Sequence, residues 1–209
     1  MKRKLAGLYA ITPDEPRTDI LLGKVGQALR GGASVVQYRN KTASAALRLT
    51  QGRALLALCW EYQVPLIIND HLELALALDA HGLHIGDEDG SVTEARNRLG
   101  PDKILGVSCY GRIENALAAA GAGATYVAFG GFFPSKVKPG AARTPVELLG
   151  EAKRGLKLPI VAIGGITLDN APALLAAGAD GVAVISALFE APDIRGAARS
   201  FSKLFGRRP

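Results

Sequence analysis

Eight times along the chain, a short β-branched run gives way to a polar or glycine-rich break and then to a stretch rich in alanine and leucine. The strand-like runs are 5–11 (LAGLYAI), 34–39 (SVVQYR), 65–69 (PLIIN), 82–85 (GLHI), 104–108 (ILGVS), 125–130 (TYVAFG), 159–164 (PIVAIG) and 181–185 (GVAVI). Between them, the stretches 44–62, 112–120 and 169–177 space their apolar residues at the helical period. The pairs Gly32-Ala33, Gly123-Ala124 and Gly178-Ala179 each sit where a helix should stop, because glycine takes the left-handed conformation that ends one. Strand followed by helix in an unbroken series requires parallel pairing with right-handed crossovers. An open doubly wound sheet would carry a G-x-G-x-x-G fingerprint after its first strand. The segment there reads TPDEPRTD. A closed (β/α)8 TIM barrel is therefore expected, as one α/β domain over residues 1–209, since no proline- or serine-rich linker divides the series.

Composition narrows the function classes. Apolar residues make up 48% of the chain and charged residues 21%, which is globular and excludes a disordered chain. No apolar run approaches the ~20 residues of a membrane helix. The amino end has basic residues before LAGLYAI, but Thr12-Pro13-Asp14-Glu15 stands where a signal peptide would have its small-residue cleavage site. A cytoplasmic protein is expected, with Cys59 and Cys109 as free thiols. The net charge is +6, yet six of the 25 basic residues are Lys2, Arg3, Lys4, Lys203, Arg207 and Arg208, near the chain ends. The remaining 19 balance 19 acidic residues, so the body lacks the basic stripe of a nucleic-acid protein.

In a barrel of this kind the chemistry sits at the carboxyl ends of the strands. The second strand ends Gln37-Tyr38-Arg39-Asn40-Lys41, and a period of two turns Gln37, Arg39 and Lys41 to one face. An amide and two cations converging there suit a polyanion; a solvated ladder of salt bridges is the plain alternative. The third strand ends Asn69-Asp70 and the fourth leads into Asp87-Glu88-Asp89. Carboxylates from adjoining strand ends can hold Mg²⁺, which also takes waters and phosphate oxygens, and Asp70 and Asp89 are the candidates. Asp70 alone would read as a helix cap, and Asp87 and Glu88 as solvated charges. Ser108, after the fifth strand, lacks the setting of a nucleophile and reads as a hydrogen-bonding group, with Cys109 as a small buried residue. The longest irregular segment, 130–141, brackets Ser135, Lys136, Val137 and Lys138 with glycines and prolines, as a lid over an anion would; for Lys136 an exposed basic turn is equally open. Gly164 and Gly165 after the seventh strand, with Ser186 after the eighth, suit a backbone-built phosphate cup. Two anion sites in one mouth fit a diphosphate and a separate monophosphate.

LYAIT, VVQYRNK, PLIIND, GLHIGDED, GVSCYG, FGGFFPSKVKPGA, PIVAIGGI and GVAVISA, in that order from residue 8 to residue 187, resemble the thiamine-phosphate synthase family. The resemblance implies a transferase that joins 4-amino-5-hydroxymethyl-2-methylpyrimidine diphosphate to 4-methyl-5-(2-phosphoethyl)thiazole by a dissociative path, releasing pyrophosphate. By motif it assigns Gln37, Arg39, Lys41, Asn69, Ser108 and Lys138 to the pyrimidine diphosphate, and Asp70 and Asp89 to one Mg²⁺ ion. Ser135 to Val137, Gly165, Ile185 and Ser186 would receive the thiazole phosphate. Arg39, Lys41, Lys138 and Ser108 would carry the catalysis, and Tyr38, Asn40 and Gly164 fall within the matching segments as further binding candidates. The partners implied are these small molecules, with neither nucleic acid nor membrane, and the oligomeric state stays open. One departure stands out: the family's lid reads Thr-x-Thr-Lys, where this chain has Ser135-Lys136-Val137-Lys138. A thiazole tautomerase on the same scaffold is the alternative, since tautomerisation needs an acid/base group but no diphosphate clamp. A non-catalytic phosphate sensor or a sugar-phosphate epimerase would have no use for a metal pair beside that clamp.

Overall fold

A computed structural model describes residues 5–134 and 143–206 of the chain. The strands are β1 (Gly7–Ile11), β2 (Val35–Tyr38), β3 (Leu66–Asn69), β4 (Gly82–Ile85), β5 (Ile104–Tyr110), β6 (Tyr126–Gly130), β7 (Ile160–Ile163) and β8 (Gly181–Val184). Interleaved with them are α1 (Thr18–Arg30), α2 (Ala45–Glu61), α3 (Leu72–Ala77), α4 (Val92–Leu99), α5 (Ile113–Gly121), α6 (Glu147–Gly155) and α7 (Ala171–Ala176), followed after β8 by α8 (Ser186–Phe189) and α9 (Ile194–Lys203). Each strand pairs in parallel with its neighbours in sequence, and β8 pairs with β1 to close the barrel.

The strands read as nearly continuous apolar runs because both of their faces are buried. Leu8, Ala10, Val36, Leu66, Ile68, Leu83, Val127 and Val182 belong to the outer core beneath the helices. The alternate residues Tyr9, Ile11, Val35, Ile67, Tyr126, Ala128, Val161 and Ala183 fill the inside. That interior is narrow, and glycine makes the room. Gly106 on β5 and Tyr126 on β6 are register partners, and a Cβ on Gly106 would overlap the Tyr126 ring.

The expected helix stops occur as read. Gly32, Gly123 and Gly178 have φ of 98°, 96° and 115°. The N–H groups of Ala33, Ala124 and Ala179 then donate to the carbonyls five residues back, at 3.1, 2.9 and 3.0 Å. Ser44 caps α2, its hydroxyl accepting from Leu47 N at 3.2 Å. Most boundaries lie one or two residues from the sequence reading, and two of these shifts have a visible local cause. β5 runs to Tyr110 rather than 108, through a register shift between Ser108 and Tyr110 that puts Tyr110 at φ 53°. The stretch 169–177 shortens to α7 because the Asn170 side chain is tied into the preceding turn, accepting from Thr167 N and donating to Gly165 O. Lys203, counted above with the basic residues near the chain ends, is the last residue of α9. Among the described residues no helix is long and apolar enough to cross a membrane. Cys59 and Cys109 are free and buried, and burial pushes both thiols up to about 12, far from a reactive thiolate.

Candidate active site

The carboxyl end of β2 is held from the β1–α1 loop. Buried Thr12 accepts from Arg39 N at 2.9 Å and donates its hydroxyl to Arg39 O at 2.8 Å, which fixes the backbone where the strand leaves the sheet. Beside it, Asp14 accepts from Lys41 N at 2.7 Å and meets the Arg39 guanidinium at 3.4 Å. A carboxylate thus lies across the backbone and side-chain donors of the expected anion clamp. Arg39 keeps its side chain 15% exposed, and Lys41 is exposed.

Within β2, Gln37 faces the barrel interior, where it meets Tyr9, and Tyr38 faces the helices; the strand ends there, before Arg39, Asn40 and Lys41. Tyr38 and Asn40 were both expected as binding candidates, and both line a small rim cleft with Lys41, Asn69 and Asp70 while their side chains bond behind the strand. Tyr38 lies outside the barrel wall and donates to Gln51 Oε1 on α2 at 2.8 Å. Asn40 Nδ2 donates to the same oxygen at 3.1 Å and to Glu15 O at 3.0 Å. Both support the β2 end from behind.

Asn69 ends β3 in register with His84 of β4. The next residue, Asp70, takes the left-handed conformation (φ 62°), and its N–H donates to His84 O at 2.8 Å. This kink, which aspartate tolerates better than most residues, brings the Asp70 carboxyl into hydrogen-bond contact with Asp89. Asp89 is itself held by Gly86 N at 2.7 Å, while Asp87 and Glu88 are exposed. Burial first, and the Asp89 carboxyl second, push Asp70 up to about 6; Lys41 and Arg39 pull the other way. Two carboxyls brought this close suit a cation between them. No group of three or more His, Cys, Asp and Glu side chains able to hold a metal occurs among the described residues. The two-carboxylate set fits Mg²⁺ completed by phosphate oxygens and water rather than an all-protein cage. Asn69, Asp70, His71, Lys41 and Arg48 line one small cleft at this rim.

Inside the barrel a chain of hydrogen bonds crosses five strands. Gln37 Nε2 donates to Tyr9 OH at 2.9 Å, Tyr9 OH lies 2.7 Å from Tyr126 OH, and Tyr126 OH lies 2.8 Å from His84 Nδ1. His84 Nε2 lies 2.8 Å from Ser108 Oγ. Burial lowers the His84 pKa to about 4, so the imidazole is neutral, and burial raises both tyrosine hydroxyls above their ordinary range.

On the far side of the mouth, Gly164 (φ 108°) and Gly165 (φ 62°) follow β7. A Cβ on Gly164 would lie 2.8 Å from Gly131 N, and one on Gly165 would meet the carbonyls of Phe133 and Pro134. The β7 turn and the start of the β6 loop therefore need one another. Phe133 N donates to Gly164 O at 3.2 Å, and Phe132 docks in the outer core. Buried Thr144 clasps the returning end of that loop, its N–H donating to Gly131 O at 3.0 Å. Ser135, Lys136, Val137 and Lys138 lie outside the described residues. Ile185 and Ser186 follow β8, with Ser186 opening the single-turn helix α8.

Thr12, Asp14, Arg48, Tyr9, Tyr126 and His84 were not singled out from sequence. His84, however, shares the inward period of β4 with Gly82, and that parity was a usable signal.

A cationic strand end facing a carboxyl pair, with glycine turns opposite, defines a phosphate-handling enzyme on a (β/α)8 barrel. Residues 8–188 match the family model for thiamine monophosphate synthase. The thiamine-phosphate synthase of Nitrosomonas eutropha is 56% identical over 202 residues, covering 97% of this chain and 95% of that protein. That of Aromatoleum aromaticum is 54% identical over 202 residues and 97% of each. Among solved structures, the thiamine phosphate pyrophosphorylase from Pyrococcus furiosus superposes with a TM-score of 0.86 at 36% identity, covering 96% of each chain. The chain belongs to the thiamine-phosphate synthase family and is an enzyme of the transferase class.

Proposed function

We propose that the enzyme joins 4-amino-5-hydroxymethyl-2-methylpyrimidine diphosphate to 4-methyl-5-(2-phosphoethyl)thiazole, forming thiamine phosphate and pyrophosphate. The observation that carries this reading is the Arg39–Lys41 end of β2 set against the Asp70–Asp89 pair. In a dissociative path the bond between the pyrimidine methylene and the diphosphate oxygen breaks first, the electron pair leaving with pyrophosphate. The thiazole ring nitrogen then supplies the pair that forms the new C–N bond. Negative charge grows on the departing oxygens, and the Arg39 guanidinium and Lys41 ammonium, with Lys138 from the loop, neutralise it. Asp70 and Asp89 would hold Mg²⁺, which supplies further charge neutralisation on the diphosphate. Asn69 and Ser108 orient the pyrimidine diphosphate, and Gln37 holds the interior end of the chain that reaches Ser108. Gly164, Gly165, Ile185 and Ser186, with Ser135 to Val137, receive the thiazole phosphate.

An electron-poor methylene released this way must be kept from water, which is the use of a loop clasped at its base by Thr144 and the Gly164–Gly165 turn. No protein nucleophile is required, in keeping with the inert Cys109 thiol. A thiazole isomerase would employ neither a diphosphate clamp nor a carboxyl pair, and these features favour the synthase. The test is an assay that follows both products together. Equimolar thiamine phosphate and pyrophosphate, both abolished by EDTA and restored by Mg²⁺, are expected. Isomerisation of a thiazole without pyrophosphate release would overturn the reading.

A further inference from the structure

The hydrogen-bond chain through the barrel begins at a group whose role is fixed, and the remaining donors follow from it if each hydroxyl gives its proton to a partner within the chain. The Gln37 Nε2 group only donates, so the Tyr9 oxygen accepts from it. The Tyr9 proton then goes to the Tyr126 oxygen, its other hydrogen-bond partner among the described residues. Tyr126, having accepted, gives its own proton to His84 Nδ1. A neutral imidazole that accepts at Nδ1 carries its hydrogen on Nε2, and that hydrogen points at Ser108 Oγ. The serine oxygen is thereby engaged as an acceptor, and its hydroxyl hydrogen turns to whatever occupies the mouth. Every phenol and ring in this chain is packed in the interior: Tyr126 is fully buried, Tyr9 is 2% exposed and His84 is 7% exposed. Tyr9 and Tyr126 rings lie 5.9 Å apart, and Tyr126 and His84 rings 5.5 Å apart, so the groups have little freedom to reorient.

We propose that Tyr9 and Tyr126 are positioning residues: through the tautomer they impose on His84, they set Ser108 as a hydrogen-bond donor to an acceptor atom of the substrate. The acceptor is a diphosphate oxygen or a pyrimidine ring nitrogen, groups that share the same need for a donor. The inference rests on the reading that Ser108 meets the pyrimidine diphosphate. It adds a demand that the binding residues alone do not make, since Ser108 with its hydrogen aimed at His84 would offer the substrate only lone pairs.

The first readout needs neither substrate nor variant function. Nitrogen NMR of the intact, histidine-labelled chain near pH 7 distinguishes the two ring nitrogens of each of the three histidines, and loss of one set in His84→Gln assigns His84. Hydrogen on Nε2 is expected. Hydrogen on Nδ1 would mean that the chain runs the other way, with Ser108 donating into it, and would overturn the proposal. The second readout is a double-mutant cycle on the KM for the pyrimidine diphosphate. Tyr126→Phe is expected to mix the His84 tautomers and raise that KM about tenfold, with the thiazole phosphate KM unchanged. In a Ser108→Ala background the same substitution should add nothing, because the hydroxyl it orients is gone. A full additional loss in that background would overturn the proposal, since it would mark Tyr126 as packing alone. Should Tyr126→Phe fold poorly, Tyr9→Phe enters the same cycle. The expected tautomer in a chain that makes no thiamine phosphate would support the relay and overturn the substrate reading.

Discussion

Asp14 occupies donors that an anionic ligand would want. It takes the Lys41 N–H at 2.7 Å and faces Arg39 at 3.4 Å, so a bound diphosphate has to displace it or share with it. Asp14→Asn keeps an acceptor for the Lys41 N–H and removes the repelling charge. It is expected to tighten inorganic pyrophosphate binding a few-fold, read by calorimetric titration; weaker binding would show that the carboxylate organises the clamp instead. Val137, where the family has threonine, withholds a hydroxyl from the loop. Val137→Thr is expected to lower the KM for thiazole phosphate with little change for the diphosphate; an unchanged or higher KM would remove Val137 from the phosphate site. Asp70 brings a pH dependence. Its native pKa, raised to about 6, lies above that of an unfolded aspartate, so the native state holds more protons through the window from about 4 to about 6. Metal-free stability should therefore fall as pH rises across that window. The Mg²⁺ concentration for half-maximal activity should climb as pH drops below about 6, where protons compete for the pair. Asp70→Asn is expected to flatten the stability profile in thermal melts between pH 4.5 and 7.

At the level of elements, the strands were legible to within a residue or two because the barrel buries both of their faces, leaving apolar runs bounded by glycine and charge. The three glycine-stopped helices were legible for a local reason, the left-handed turn and its five-residue-back hydrogen bond. The order of residues in β2 is legible as far as Gln37, whose inward turn follows from the strand period. Tyr38 and Asn40 are not placed by spacing, because the motif that carries the resemblance spans both parities of β2: their side chains reach Gln51 while both residues line the rim cleft. The interior chain was illegible because it joins β1, β2, β4, β5 and β6 through register rather than through sequence spacing. That chain depends on Gly106, which leaves room for Tyr126. Gly106→Ala would push a methyl group into the ring and is expected to cost about 1–3 kcal/mol by denaturant unfolding, as overpacking of a filled core does. Unchanged stability would mean that the β5–β6 pair shifts apart freely.

Taken as a whole molecule, the barrel is a rigid ring whose mouth is asymmetric. Cations and carboxyls gather at β2, β3 and β4, and backbone turns gather at β7 and β8, with the buried hydrogen-bond chain running beneath the mouth. The two halves of the first group oppose one another electrostatically: the clamp faces a carboxyl pair that repels phosphate, and burial beside Asp89 makes the ionised form of Asp70 costly. Pyrophosphate and Mg²⁺ should consequently bind as a coupled pair, each improving the affinity for the other by the same factor. The direct measurement is calorimetric titration of inorganic pyrophosphate into the intact chain at pH 7.5, with and without saturating Mg²⁺, repeated on the Asp70→Asn, Asp89→Asn double variant. Mg²⁺ is expected to tighten pyrophosphate binding at least tenfold in the wild-type chain and to give little gain in the double variant. An equal gain in both proteins, or none in either, would contradict a diphosphate site built between the β2 clamp and the Asp70–Asp89 pair.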